Sequence, residues 1–170
     1  MAGLTKKAPK PVIKTLTKTE LHKLYKEKIE SSGITEAQGK KLAFKPMQGA
    51  EVVDALRVDK AGFKIPYWDL KGKPTAFYRY RLLEDSSDTL QSRLSGKPLR
   101  YTQPKDAANE PYFPPVLDWE SVAADKDVDV YITEGELKSA AACFRGYACV
   151  GLGGVWMFRS AKRGIALLPQ

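Results

Sequence analysis

The sequence predicts a mixed α/β fold, α+β overall, with helices first, a basic strand pair in the middle and a βαβ unit last; three stretches carry the prediction. TKTELHKLYKEKIESSG repeats apolar residues at helical spacing, and GFKIPYWDLKGKPTAFYRYRLLE alternates on either side of a glycine-containing turn. VDVYITEGELKSAAACFRGYACVGL sets an alanine-rich run between two apolar ones. Four segments follow: a basic arm over 1–15, a helical segment over 16–60, a basic β-rich subdomain over 61–117 and the βαβ unit over 118–170.

Residues 1–15 mix Lys, Pro and Ala without periodicity and are expected to be disordered. Next comes an amphipathic helix, with Thr17 or Thr19 as its cap, Leu21, Leu24, Tyr25 and Ile29 on one face and Gly33 as its stop. A weaker helix runs from Thr35 to Lys41, before Pro46 and Gly49 interrupt it. Strands are expected over Phe63–Trp68 and Thr75–Leu83, turning at Asp69–Pro74 with Gly72 in the turn. Residues 84–115 are rich in Asp, Ser, Gly and Pro; LRYTQP reads as a short strand and EPYFPP as a rigid turn. Then LDWESVAADK suggests a short helix capped by Asp118, with Trp119 and Val122 facing inwards. The βαβ unit comprises a buried strand over Val128–Thr133, a helix over Glu136–Arg145 stopped by Gly146, and a strand over Ala148–Leu152.

Twenty-eight basic side chains against 20 acidic ones give a net charge of +8, which suits polyanionic partners or simple solubility. The charges are segregated. Residues 106–136 carry 9 acidic side chains and 1 basic one, while 137–170 carry 5 basic and no acidic ones. One histidine and two cysteines exclude a zinc site built within this chain. Cys143 and Cys149 read as buried free thiols, as a reducing cytoplasm favours. Without a long apolar run, no membrane partner is expected.

Alternation in the second strand puts Arg79 and Arg81 on one face with Phe77. That face suits single-stranded nucleic acid, with guanidinium groups on phosphates and a ring under a base; equally, it suits a solvated hairpin face. Glu134 and Gly135 end the first parallel strand, and Gly151, Gly153 and Gly154 close the next, so both turns share the edge where α/β sites collect. A carboxylate there can hold a divalent cation or move a proton, while glycines admit a phosphate to the backbone. Alternatively, Glu134 caps the helix and the glycines only turn the chain.

YITEGELKSAAACFRGYACVGLGGVW resembles the start of the Toprim domain of primases and topoisomerases, where a hydrophobic strand ends in Glu-Gly and a glycine turn closes the next strand. IPYWDLKGKPTAFYRYRL with RYTQPKDAANEPYFPP is similar to the basic subdomain preceding Toprim in DnaG-type primases. The stretch from Phe63 to Leu168, with GLGGVW and RSAKRG, is similar to an uncharacterised domain of phage, plasmid and integrative-element primase-helicases. The resemblance implies Glu134 as the catalytic and metal-positioning glutamate. It also implies a single-stranded-DNA surface in which Lys64, Lys71, Lys73, Arg79, Arg81 and Arg100 meet phosphates and Trp68, Phe77 or Tyr101 stacks bases.

The departures set further expectations. Toprim domains continue to a strand bearing an Asp-x-Asp pair, and no acidic residue follows Glu136 here; Lys138 stands where many primases carry an acid. Magnesium is therefore expected only if the site is completed by another chain or by further sequence, and the chain alone is expected to bind DNA rather than polymerise nucleotides. An incomplete Toprim half-sheet implies an exposed parallel edge open to a replisome protein or to self-association. The alternatives are an active primase or nuclease completed elsewhere, or an interaction module that regulates a replisome.

Overall fold

The computed structural model describes residues 15–154 and 157–159. In chain order they form α1 (Lys18–Glu30), α2 (Glu36–Lys41), β1 (Lys45–Met47), α3 (Gly49–Leu56), β2 (Gly62–Trp68), β3 (Pro74–Leu82), α4 (Leu90–Ser95), β4 (Tyr101–Thr102), α5 (Trp119–Ala124), β5 (Val130–Glu134), α6 (Glu136–Cys143) and β6 (Ala148–Leu152). This is the α+β class that the sequence predicts. The basic arm, save Thr15, lies outside the described residues, as do Val155, Trp156 and the basic stretch after Arg159.

Thr17 starts α1 with a reciprocal cap: its backbone N–H donates to Glu20 Oε2 at 2.7 Å, and its hydroxyl accepts from the Glu20 N–H at 3.2 Å. Thr35 and Gln38 repeat the device on α2. The periodic residues Leu21, Tyr25 and Ile29 of α1 are buried. Three elements go beyond expectation. Pro46 and Gly49 mark a break between helices, yet β1 and α3 occupy that break, because a three-residue strand and an eight-residue helix are too short for periodicity to stand out. In the Asp- and Ser-rich stretch, α4 forms between a Thr89 cap and a left-handed Gly96.

Four strands make an antiparallel sheet in the order β1-β2-β3-β4, so segment 16–60 lends a strand to the sheet of segment 61–117. The register places Phe63 opposite Arg81 and Ile65 opposite Arg79. On that face Phe63, Ile65 and Tyr67 bury against Tyr25 and Ile29 of α1 and against Leu137 and Ala140 of α6. The other face carries Tyr80 and Leu82 against Val52, Leu56 and Val58. Helices thus cover both faces. The Arg79 and Arg81 face is partly covered: Arg79 is buried, while Arg81 stays half-buried and lines a cleft.

β5 and β6 form a separate parallel pair, from Val130 opposite Ala148 to Glu134 opposite Leu152. The expectation that the first of these strands is buried is overturned: Val130, Tyr131 and Ile132 are 49%, 51% and 63% exposed. The buried strand is β6. Ser139 Oγ on α6 donates to the Cys149 carbonyl at 2.6 Å, and Tyr112 bridges Gly151 on the far side. β5 is left with one neighbouring strand among the described residues. Cys143 and Cys149 are free and buried, as expected. No helix among the described residues is long and apolar enough to cross a membrane.

These burials separate two isoleucines of similar strand context. Ile65→Ala is expected to cost about 2–5 kcal/mol in urea denaturation, whereas Ile132→Ala should change stability by no more than about 0.5 kcal/mol. Equal losses at the two positions would contradict the exposed placement of β5.

Candidate functional site

Strand β3 and the start of α6 meet at a buried ion pair. Arg79 Nη1 donates to Glu136 Oε1 at 2.8 Å and to the Gly153 carbonyl at 2.9 Å. Tyr67 Oη donates to the same Glu136 oxygen at 2.7 Å. Arg79 is 8% exposed and Glu136 fully buried. Burial holds the Tyr67 phenol well above its ordinary range, and the Glu136 charge raises it further. Burial opposes the Arg79 charge, but Glu136 and Tyr67 outweigh it and hold the guanidinium above its usual value. Glu136 Oε2, Arg79 Nε and the Tyr112 hydroxyl find no hydrogen-bond partner among the described residues.

This pair floors a cleft of about 390 Å³. Lys28 enters from α1 and Ser32 from just after it, Arg81 from β3, Arg100 from just before β4 and Tyr101 from β4. Glu134, Gly135, Leu137 and Lys138 enter from the turn between β5 and α6. The Tyr101 ring lies under two guanidinium groups, with Arg79 4.8 Å and Arg81 4.9 Å from its centroid. Arg81 Nη1 donates to the Arg100 carbonyl at 2.8 Å. Burial, then the charges of Arg81 and Arg100, push the Lys28 ammonium down. Burial also lowers Arg81, with Tyr101 opposing and Arg100 adding to the effect. Among the described residues, Lys28, Arg81, Arg100 and Lys138 have no carboxylate ion-pair partner.

The residues singled out in the sequence divide between this cleft and other places. Glu134 is exposed and lines it. Glu134 does not cap α6, which corrects that alternative: the N-cap is Gly135, at φ 95°, with no side-chain cap bond. Gly153 brings its carbonyl against Arg79, where a side chain would collide with the guanidinium. Gly151 packs β6 against Ser139 and the Gly135 carbonyl, and Gly154 lies near Met157. Lys64 sits elsewhere, with its ammonium 4.4 Å from the Tyr78 ring centroid. Lys71 and Lys73 are exposed in the hairpin turn, their backbone N–H groups donating to Asp69 Oδ1 at 2.9 and 2.8 Å.

Two of the three expected stacking residues serve the core instead: Trp68 packs on it, and Phe77 meets Tyr67 edge-on at 4.6 Å. Tyr101 does line the cleft. Sequence reading missed Lys28, Tyr67 and Glu136 as site residues. Lys28 occupies the i+7 position of the stripe begun by Leu21 and Tyr25, and Glu136 begins a helix whose remaining buried residues are Leu137, Ser139, Ala140, Ala141 and Cys143. A charge on an apolar stripe was the available signal for both.

The magnesium implied at Glu134 does not fit this donor set. Mg²⁺ takes several oxygen ligands in octahedral geometry. The cleft lining has two carboxylates, Glu134 and Glu136, and Arg79 and Tyr67 hold one Glu136 oxygen, while five cationic side chains crowd the space. Among the described residues, no group of three or more His, Cys, Asp or Glu side chains is placed to hold a metal ion.

Fold and site together define an α+β protein with a cation-lined cleft between its antiparallel sheet and its βαβ unit. Residues 118–166 match the family model of a domain of unknown function, DUF3854, a match that takes in α5, β5, α6 and β6. No curated protein and no solved structure matches the chain.

Removing one member of the buried pair strands its partner. Glu136→Ala is expected to cost about 3–5 kcal/mol in urea unfolding. The double variant Arg79→Met, Glu136→Leu should recover a large part of that loss; additive losses would show that the two groups are not coupled.

Proposed function

We propose that this chain is a nucleic-acid-binding, primase-like portion of a DNA replication protein of a mobile element, acting on single-stranded DNA in the bacterial cytoplasm. The observation that carries the reading is the group of three mutually repelling cations, Lys28, Arg81 and Arg100, gathered at one cleft without carboxylate partners among the described residues. Such crowding destabilises the free protein, and a polyanion relieves it. Tyr101 offers an aromatic surface beside the cations, and the exposed Lys71 and Lys73 add basic charge at the hairpin turn, outside the cleft lining. The Glu-Gly strand end and the glycine turn support the primase-like part of the reading through their likeness to Toprim domains. The chain acts as a binding portion, since its cleft does not suit the metal that phosphoryl transfer in that family needs.

A second contact is favoured by one observation. Val130, Tyr131, Ile132 and Tyr147 expose apolar surface along β5 and its flank. We assign that surface to a replisome protein or to self-association.

Fluorescence anisotropy with single-stranded and duplex DNA across a salt series tests the binding reading. Lys28→Gln with Arg100→Gln should weaken single-strand binding at least about tenfold and flatten the salt slope by about 0.7 for each phosphate no longer neutralised. An unchanged slope would remove the cleft from the interface. Lys28→Gln alone should raise the melting temperature at neutral pH. Because folding lowers the pKa of Lys28, the unfolded chain holds this proton more tightly, so stability rises with pH between the folded and unfolded values. The thermal gain from Lys28→Gln should therefore shrink as pH climbs through the ordinary lysine range.

A further inference from the structure

We infer that the cleft receives a terminal phosphate, a phosphate monoester dianion, directly on protein groups and without a divalent cation. The inference rests on the nucleic-acid-binding reading and names the chemical group recognised there.

Four features of the cleft point to this ligand. Its volume, about 390 Å³, falls within the range of about 300–1,000 Å³ common to small-ligand sites. Its lining comes from α1 and just after it, from β3 and the start of β4, and from the β5–α6 junction, with the buried pair Arg79 and Glu136 among it. The second feature is charge. Lys28, Arg81 and Arg100 lack ion-pair partners among the described residues, and Lys138 adds a fourth such cation. An internal phosphodiester brings one negative charge, while a terminal monoester near neutral pH brings about 1.5 to 2.

The third feature is the start of α6. Gly135, Leu137 and Lys138 line the cleft, and Gly135 caps the helix without a side-chain acceptor. The first backbone N–H groups of a helix have no acceptor within it, and its N-terminus favours an anion. A fourth observation is independent of the helix. Arg79 lines the same cleft and its side chain is nine-tenths buried; its Nε, itself buried, has no hydrogen-bond partner among the described residues. The guanidinium Nη1 already serves Glu136 and Gly153, which fixes the group in place before any ligand arrives.

Glu134 stands at the rim as the remaining carboxylate. Beside four unpaired cations it does not reverse the sign of the site, so the anion needs no metal bridge.

The test compares two short single-stranded oligonucleotides of one sequence, labelled at the 3′ end, one carrying a 5′-phosphate and the other a 5′-hydroxyl. Anisotropy is read in EDTA and again with magnesium, with thymidine monophosphate and inorganic phosphate as competitors. The phosphorylated strand should bind about tenfold tighter in EDTA, and Lys28→Gln or Arg100→Gln should abolish the difference. Circular dichroism confirms that both variants are folded. Loss of the preference to thymidine monophosphate shows recognition of a nucleotide's terminal phosphate, and loss to inorganic phosphate at similar concentration shows recognition of the phosphate alone; both outcomes support the inference. Equal affinity for the two strands overturns it and leaves the nucleic-acid reading standing. A preference that appears only with magnesium overturns it as well. Absence of binding to either strand at low salt overturns both.

Discussion

The ion pair of Arg79 and Glu136 is the constraint on which the arrangement depends. It joins β3 of the antiparallel sheet to the first residue of α6, and through the Gly153 carbonyl it reaches the turn after β6. Tyr67 fixes the carboxylate from β2. One carboxylate oxygen at the start of α6 therefore holds both strands of the β2–β3 hairpin, 69 and 57 residues away in sequence. Taking both charges out of water costs several kcal/mol per ion, and their attraction offsets this only where the geometry is good and further hydrogen bonds are made. Here one Glu136 oxygen takes two donors while the other takes none among the described residues. The pair therefore specifies an arrangement more than it adds stability. It holds the βαβ unit against the sheet in one orientation, and so forms the floor of the cleft.

Above that floor the charges conflict. Lys28, Arg81 and Arg100 gather there: burial, and then the charges of Arg81 and Arg100, lower the Lys28 ammonium, and the Tyr101 ring lies under the guanidinium groups of Arg79 and Arg81. Glu134 and Glu136 line the same cleft, yet neither forms an ion pair with these three cations among the described residues. Stability given up at a binding site is the usual counterpart of affinity for a complementary ligand. The acidic side chains are instead concentrated at 106–136, largely in the loops before β5.

Strand β5 shows where pattern and burial part company. Its apolar run reads as a buried parallel strand, and its pairing and register agree with that reading. Its exposure does not. An apolar run specifies a strand's need for cover, while the cover itself comes from neighbours that a local window does not include. The same reasoning explains β3. Period-two alternation places Phe77, Arg79 and Arg81 on one face, as the structure has it, yet arginines on a strand face suggest solvent, and Arg79 is buried against Glu136 of α6 while Arg81 lines the cleft.

By itself the sequence determined what depends on neighbours in the chain. Thr17 and Thr35 capped their helices, Gly72 turned the hairpin, Asp118 opened α5, and the strand–helix–strand order of the last unit followed from short-range periodicity. Glu134 and Gly135 were also legible as a strand-end site, and the structure sets both on the cleft. Only the tertiary structure decided which charges are buried and which converge. Lys28 and Arg100 are separated in sequence by β1, β2 and β3, and Arg79 finds Glu136 57 residues away. The reason is physical. Caps and turns are settled by hydrogen bonds spanning a few residues, whereas the charge of a cleft depends on which faces pack together, and that is set by the burial of the whole core.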